Sequence, residues 1–210
     1  PGYNKWGPKI PISFTDFCTT LDRFYAVTNQ SHDGNHFFRK STNPYRKQHN
    51  ITKDTKWKEI QGNDKPFENR ELLQNMGITE EELQDDEDEV HTDHVLSCQV
   101  FHAFVEHFDK KKKRTFSFDR YYSWRVWLNR CWNFQALPAK ANRKKGSIEK
   151  KVIEALQNGQ PNAEIVQKYF ANVRHFFVKY GKKQSLSQTP AFQTFFQDFL
   201  GDWPENTKYQ

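Results

Sequence analysis

The apolar residues of this chain recur at the spacing of an α-helix in several separate segments. In residues 14–27, five apolar residues are spaced by 3, 1, 3 and 4 positions, so they would form one stripe along a helix. The members of this stripe are Phe14, Phe17, Cys18, Leu21 and Tyr25. Similar periodicity returns in residues 147–159, 162–180 and 189–203. No segment shows the clear apolar–polar alternation of a half-buried strand, so the pattern predicts an all-α, multi-helix fold with long irregular loops.

A basic segment of low hydrophobicity, AKANRKKG at residues 139–146, lies between two groups of predicted helices. Pro138 immediately before it would end the preceding helix. We therefore expect residues 139–146 to be a linker. On this interpretation, residues 1–138 form an N-terminal helical domain, and residues 139–210 form a C-terminal helical region.

Thr79 and Glu82 have the spacing of a capping box. In that motif the Thr hydroxyl accepts from a backbone N–H three residues later, and the Glu side chain reaches back to the first residue. The pair predicts that a helix begins at this point.

Two apolar-periodic stretches within residues 94–132 lie on either side of DKKKKRTFSFDR, residues 109–120. This segment has the twelve-residue length of an EF-hand loop. Phe116 stands at loop position 8, and Phe118 and Tyr121 fill aromatic positions near the end of the loop. On these residues the segment resembles a degenerate EF-hand, although any two amphipathic helices joined by a basic turn share this outline. Cations have replaced most of the oxygen ligands, so the resemblance implies a helix pair that binds no calcium. Those cations are Lys111, Lys113, Arg114 and Arg120.

Composition indicates a folded core in spite of a polar average. Only 35% of the 210 residues are hydrophobic and the mean hydropathy is −0.99, values that alone would suggest disorder. The chain compensates with 19 Phe, 8 Tyr and 6 Trp, each of which can bury a large area. The net charge of +6 and the pI near 9.1 favour anionic partners, such as nucleic acid or acidic protein surfaces.

The cysteines and the hydropathy profile bear on the compartment. Cys18, Cys98 and Cys131 are odd in number, lie far apart and form no CxxC pair, which favours reduced thiols in an intracellular protein. No apolar run has the length of a membrane span, so we expect no membrane interaction. The sequence thus indicates an intracellular protein, with the nucleus as one option.

Basic residues form three clusters beside aromatic residues, an arrangement common among proteins that bind nucleic acid. We expect the clusters to contact phosphates and to provide affinity with little sequence reading. A basic run can equally be a solvated turn. The candidate nucleic-acid-binding residues are Lys110, Lys111, Lys112, Lys113, Arg114, Lys140, Arg143, Lys144, Lys145, Arg174, Lys179, Lys182 and Lys183.

The C-terminal cluster overlaps a possible helix-turn-helix at residues 162–180. In that arrangement Asn172 would cap a second helix, and Arg174, His175 and Lys179 would project from it toward a major groove. Phe170, however, occupies the position where the tight turn usually has Gly. A single continuous helix that packs its aromatic stripe on the core is the favoured alternative.

Four potential zinc ligands occur at spacings of 3, 4 and 4: His91, His94, Cys98 and His102. If the segment is helical they share one side of a helix. One helix rarely surrounds a tetrahedral ion, so a buried face with hydrogen-bonded histidines is the preferred interpretation. We therefore expect no metal and no other cofactor.

No catalytic motif is present: the chain lacks a phosphate-binding glycine loop, HExxH and GxSxG. Our hypothesis is a non-catalytic accessory subunit that binds nucleic acid, DNA rather than RNA, within a larger complex with protein partner subunits. The alternative is a protein–protein adaptor that uses the groove of a degenerate EF-hand. In that case Trp124, Trp127 and Trp132 would be the large apolar anchors for a partner.

Overall fold

The computed structural model describes residues 11–27, 43–61, 70–83, 89–112, 115–130 and 133–183. Within these ranges the chain forms nine helices and four strands. In chain order they are β1 (Ile12–Ser13), α1 (Phe14–Val27), α2 (Asn43–Gln48), α3 (Trp57–Gln61), α4 (Arg70–Asn75), α5 (Glu80–Leu83), β2 (Val90–His94), α6 (Cys98–Lys112), β3 (Thr115–Phe116), α7 (Phe118–Leu128), β4 (Phe134–Pro138), α8 (Ala139–Gln157) and α9 (Glu164–Lys183).

The all-α prediction is wrong, because the fold contains two small antiparallel sheets and is mixed α/β. β1 pairs with β3, and β2 pairs with β4 over five residues, from Val90 opposite Pro138 to His94 opposite Phe134. Every residue of β4 is buried, so its sequence FQALP has no polar face to produce alternation. β2 has the largely polar sequence VHTDH, so it does not show the alternation of apolar and polar residues either.

The main core is a cluster of apolar and aromatic side chains from α1, α6, α7, α8 and α9. Ring contacts join these helices in pairs. Phe17 of α1 stacks on Tyr121 of α7 with ring centroids 4.4 Å apart, and Phe104 of α6 lies 4.9 Å from Phe170 of α9. Aromatic burial on this scale compensates for the low hydrophobic fraction of the sequence.

The β2–β4 sheet lies between two different environments. On one face, three strand residues pack in a small second cluster with side chains from residues 45–57. The members of this cluster are Val90, Phe134, Ala136, Tyr45, Ile51 and Trp57. Strand side chains alternate between faces, so the residues between them point the other way, toward α8. Leu137 on that second face packs with Ala141 of α8.

The predicted helix in residues 14–27 is confirmed as α1, and the predicted capping box is confirmed at α5. The Thr79 backbone N–H donates to Glu82 Oε2 at 2.9 Å, and the Glu82 N–H donates to Thr79 Oγ1 at 3.3 Å. Each side chain thus satisfies a backbone donor at the start of the helix.

Residues 109–120, the segment that resembles a degenerate EF-hand loop, include the end of α6, strand β3 and the start of α7. Helix α6 continues to Lys112, and α7 begins at Phe118, capped by Ser117. Between them, Phe116 of β3 pairs with Ile12 of β1. Strand β3 thus lies between the two helices α6 and α7 in the chain.

Two expectations for the C-terminal part are also wrong. Residues 139–146 are not a linker but the first two turns of α8, a helix of 19 residues. The helix-turn-helix alternative for residues 162–180 is excluded because α9 runs unbroken through that region, with Phe170 and Asn172 buried in its middle. The continuous helix is the correct alternative.

Candidate functional site

Helix α8 is the candidate site, because one of its faces holds a buried lysine and the opposite face carries exposed cations. Pro138 ends β4 and precedes the helix, and Gly159, in a left-handed conformation at φ 72°, follows it. The buried stripe consists of Ala141, Lys145, Val152, Ala155 and Leu156. At the second of these positions a lysine occupies a place that the helical spacing would give to an apolar residue.

Lys145 is the centre of a buried polar cluster, which also comprises Asp93, Glu149 and Tyr169. Its side chain is 1% exposed. The Lys145 ammonium lies 2.7 Å from Asp93 Oδ2, forms an i,i+4 ion pair with Glu149 and donates to the backbone carbonyl of His94 at 2.9 Å. All three donor positions of the ammonium thus face oxygen atoms.

Tyr169 of α9 extends the cluster to a third element. Its hydroxyl donates to Glu149 Oε1 at 3.1 Å and accepts from the backbone N–H of Ser97 at 3.1 Å. The cluster therefore connects β2, α8, α9 and the segment that precedes α6.

The register of the sheet supplies the carboxylate. Asp93 pairs with Gln135, and both belong to the face of the sheet that points toward α8. Two residues earlier on the same face, His91 Nδ1 lies 3.1 Å from Asn142 Nδ2 of α8. Polar side chains of α8 thus contact β2 at two positions, His91 and Asp93.

Burial and charge determine the protonation of the cluster. Burial alone would lower the pKa of Lys145, but the carboxylates of Asp93 and Glu149 raise it above its ordinary value. Burial raises the pKa of Glu149 to about 7, against the attraction of Lys145. Burial also raises the pKa of Tyr169 well above its ordinary value, assisted by the charge of Glu149. The two neighbouring carboxylates thus favour the charged form of Lys145, whereas burial favours the protonated form of Glu149.

The opposite face of α8 is a stripe of exposed cations, which we call the basic stripe. At 100° per residue its members fall within about 120° of arc. They are Lys140, Arg143, Lys144, Lys150 and Lys151, all exposed. Helix α8 contains two acidic residues; Glu149 lies in the buried cluster, and Glu154 alone lies within the arc of the stripe.

The structure brings three of the predicted nucleic-acid-binding residues together in the basic stripe, namely Lys140, Arg143 and Lys144. Lys144 also lies 3.8 Å from Glu82 Oε1 of α5. Lys145 was misassigned: it is paired in the core and cannot reach a phosphate. Two members of the stripe were missed, Lys150 and Lys151. Their position follows from the helical spacing, which places them beside the other cations only if residues 139–157 form a single helix.

The other predicted cations lie on two other helices or outside the described residues. Lys110–Lys112 are in the last turn of α6, and Lys113 and Arg114 fall outside the described ranges. Arg174 is partly buried on α9. The last turns of α9 include Lys179, Lys182 and Lys183.

Two of the three Trp residues proposed as partner anchors are core residues. Trp124 is 1% exposed and Trp127 is 3% exposed. The ring of Trp127 packs against Phe177 with centroids 5.1 Å apart. Trp132 lies outside the described residues.

The four potential zinc ligands do not share a helix. His91 and His94 belong to β2, whereas Cys98 and His102 belong to α6. Across the described part of the chain, no group of three or more His, Cys, Asp or Glu side chains is placed to hold a metal ion.

Comparisons with protein-family models, curated proteins and solved structures found no match for this chain. Among the helices that the structure describes, none combines the length and apolarity needed to cross a membrane. The geometry of α8 is therefore the main source of functional information.

Proposed function

We propose that this protein is a non-catalytic accessory subunit that binds nucleic acid through the basic stripe of α8. The observation that supports the proposal is the five exposed cations along one side of a single helix. Two acids lie beside them, Glu154 of the same helix and Glu82 of α5, which pairs with Lys144. Phosphate neutralisation by Lys and Arg, with release of counterions, is the main source of affinity for nucleic acid that does not depend on sequence.

The length of the basic stripe suits a phosphate backbone. From Lys140 to Lys151 the helix rises roughly 17 Å, at 1.5 Å per residue. Along that distance one strand of a duplex presents about five phosphates, one per 3.4 Å. The number of cations in the basic stripe thus matches the number of phosphates that one strand presents over its length.

The adaptor alternative has lost its main support. Its proposed anchors included Trp124 and Trp127, whose rings are packed in the core. Anchors of protein interfaces are large side chains that fill a pocket on the partner, so a ring buried within its own core cannot act in this way.

A salt series on a charge-neutralised variant tests the proposal. Lys150→Gln/Lys151→Gln should lower affinity for a short DNA duplex about thirtyfold at 0.15 M salt, and should reduce the slope of log K against log salt by about two. The matched control is Lys53→Gln/Lys168→Gln, which removes the same charge from exposed positions outside α8. Equal losses in both variants would show that binding follows net charge rather than the stripe, and absence of binding by the wild-type protein at low salt would overturn the proposal.

A further inference from the structure

The basic stripe carries charge but no ring. In the whole chain, 16% of residues are aromatic, yet the 19 residues of α8 include no Phe, Tyr or Trp. Proteins that bind single strands combine cations with aromatic side chains on which successive bases stack. The exposed face of α8 provides only the first of these two components.

The basic stripe is also held rigidly. Its helix is fixed from behind by the ion pairs of Lys145 with Asp93 and Glu149, and by Val152 and Leu156 in the main core. The spacing between its cations is therefore set by the helix rather than adapted to a ligand. A stiff duplex, which presents phosphates at a regular interval, suits such a surface better than a flexible strand.

The stripe has little capacity to read bases. Its cations are four lysines and one arginine, and lysine contacts phosphate as a point charge rather than through a planar bidentate fork. Ser147, at the centre of the arc, directs its hydroxyl to the backbone carbonyl of Arg143 at 3.2 Å and is a short side chain. Contacts of this kind position a protein on a duplex and carry no sequence information.

We propose that α8 lies along the phosphate backbone of a DNA duplex, binds it without reading its sequence, and prefers it to either separated strand. This inference rests on the proposed function and specifies its ligand. The duplex is contacted as a regular row of charge, and the middle of the stripe is where an added negative charge would do most harm.

Ser147 allows a sharp test, because it lies between four cations of the stripe. Arg143 and Lys144 are four and three residues before it, and Lys150 and Lys151 are three and four residues after it. Ser147→Glu would place a carboxylate among them, whereas Ser147→Gln adds a side chain of the same shape without charge. The position is exposed, so both variants should fold.

The full chain would be titrated with a random-sequence DNA duplex, with each of its strands and with vesicles containing acidic lipid, at several salt concentrations. We expect the wild-type protein to bind the duplex more tightly than either strand, and equally for unrelated sequences. Ser147→Glu should weaken duplex binding at least fivefold relative to Ser147→Gln at 0.15 M salt, the loss of about one phosphate contact.

The outcomes separate this inference from the proposed function. Tighter binding to a single strand or strong dependence on sequence would overturn the duplex inference and leave binding through the basic stripe intact. Equal affinity of the two Ser147 variants would show that the contact lies away from the stripe and would overturn both. Binding to vesicles but to no nucleic acid would overturn both.

Discussion

Lys144 and Lys145 are adjacent in the chain and have opposite roles. The side chain of Lys144 is 47% exposed, whereas that of Lys145 is 1% exposed between two carboxylates. One step along a helix turns the side chain by about 100°, so a run of cations is distributed between the core and the surface by helical phase alone. The charge of a basic segment therefore does not show whether its side chains lie in the core or on a binding surface until the segment is assigned to a helix, strand or loop.

The largest expected effect is at the buried position. Lys145→Met keeps much of the volume but leaves Asp93 and Glu149 without their cation, so we expect the free energy of unfolding to fall by about 3–5 kcal/mol. Lys144→Met, the matched control, should change it by no more than about 1 kcal/mol, since its partner Glu82 is a surface contact. Urea denaturation of both variants measures the difference.

A second substitution separates charge from packing at the same position. Lys145→Met/Glu149→Gln should recover part of the lost stability, because one of the two unpaired carboxylates is gone. A Lys145→Met variant as stable as Lys144→Met would contradict the contrast between the two lysines.

The next effect is on the pH dependence of stability. Burial raises the folded-state pKa of Glu149 from 4.5 to about 7, so the folded protein binds this proton more tightly than the unfolded chain does. The corresponding stabilisation is complete below pH 4.5 and is lost as the pH rises through about 7. In Glu149→Gln this part of the pH dependence is absent.

Measurement of the free energy of unfolding from pH 5 to pH 8 checks this prediction. The wild-type protein should lose stability relative to Glu149→Gln by a few kcal/mol over that window. Glu154→Gln, which removes a carboxyl group from an exposed position on the same helix, is the matched control. A wild type that gains stability relative to Glu149→Gln as pH rises would show the opposite sign of shift.

The smallest effect concerns the solvent side of α8. Gly146 is exposed within the helix, its φ is not in the left-handed region, and nothing lies within 4 Å of the position that a Cβ would occupy. Gly146→Ala should therefore stabilise the protein by about 0.5–1 kcal/mol, because alanine loses less backbone entropy in a helix. The thermal midpoint should rise by a few degrees, and duplex affinity should stay unchanged.

Sequence reasoning located α1, α5 and the continuous α9 because each has an apolar stripe or a capping signal that is local. It missed β2 and β4, whose five paired residues are identified by their partners rather than by alternation. Such pairing is a non-local property, so tertiary context decides it.

In the candidate site, three cations of the basic stripe were predicted and two, Lys150 and Lys151, were missed. The dense charge of residues 139–146 and the presence of Gly146 made that segment resemble a linker. A lysine in the apolar stripe then hid the periodicity that joins Ala141 to Val152. The carboxylates that make a buried Lys145 tolerable come from a distant strand and from the next turn of α8, and Asp93 could not be assigned before the sheet was known.

The pairing of β2 with β4 gives the polar cluster a further consequence. A slip of one residue would turn Asp93 away from α8 and bring Thr92 or His94 to that face, because strand side chains alternate. Lys145 would then be enclosed without that carboxylate, at a cost that an apolar pair would not impose. The buried charge of Lys145 thus favours the observed register of β2 and β4 over a register displaced by one residue.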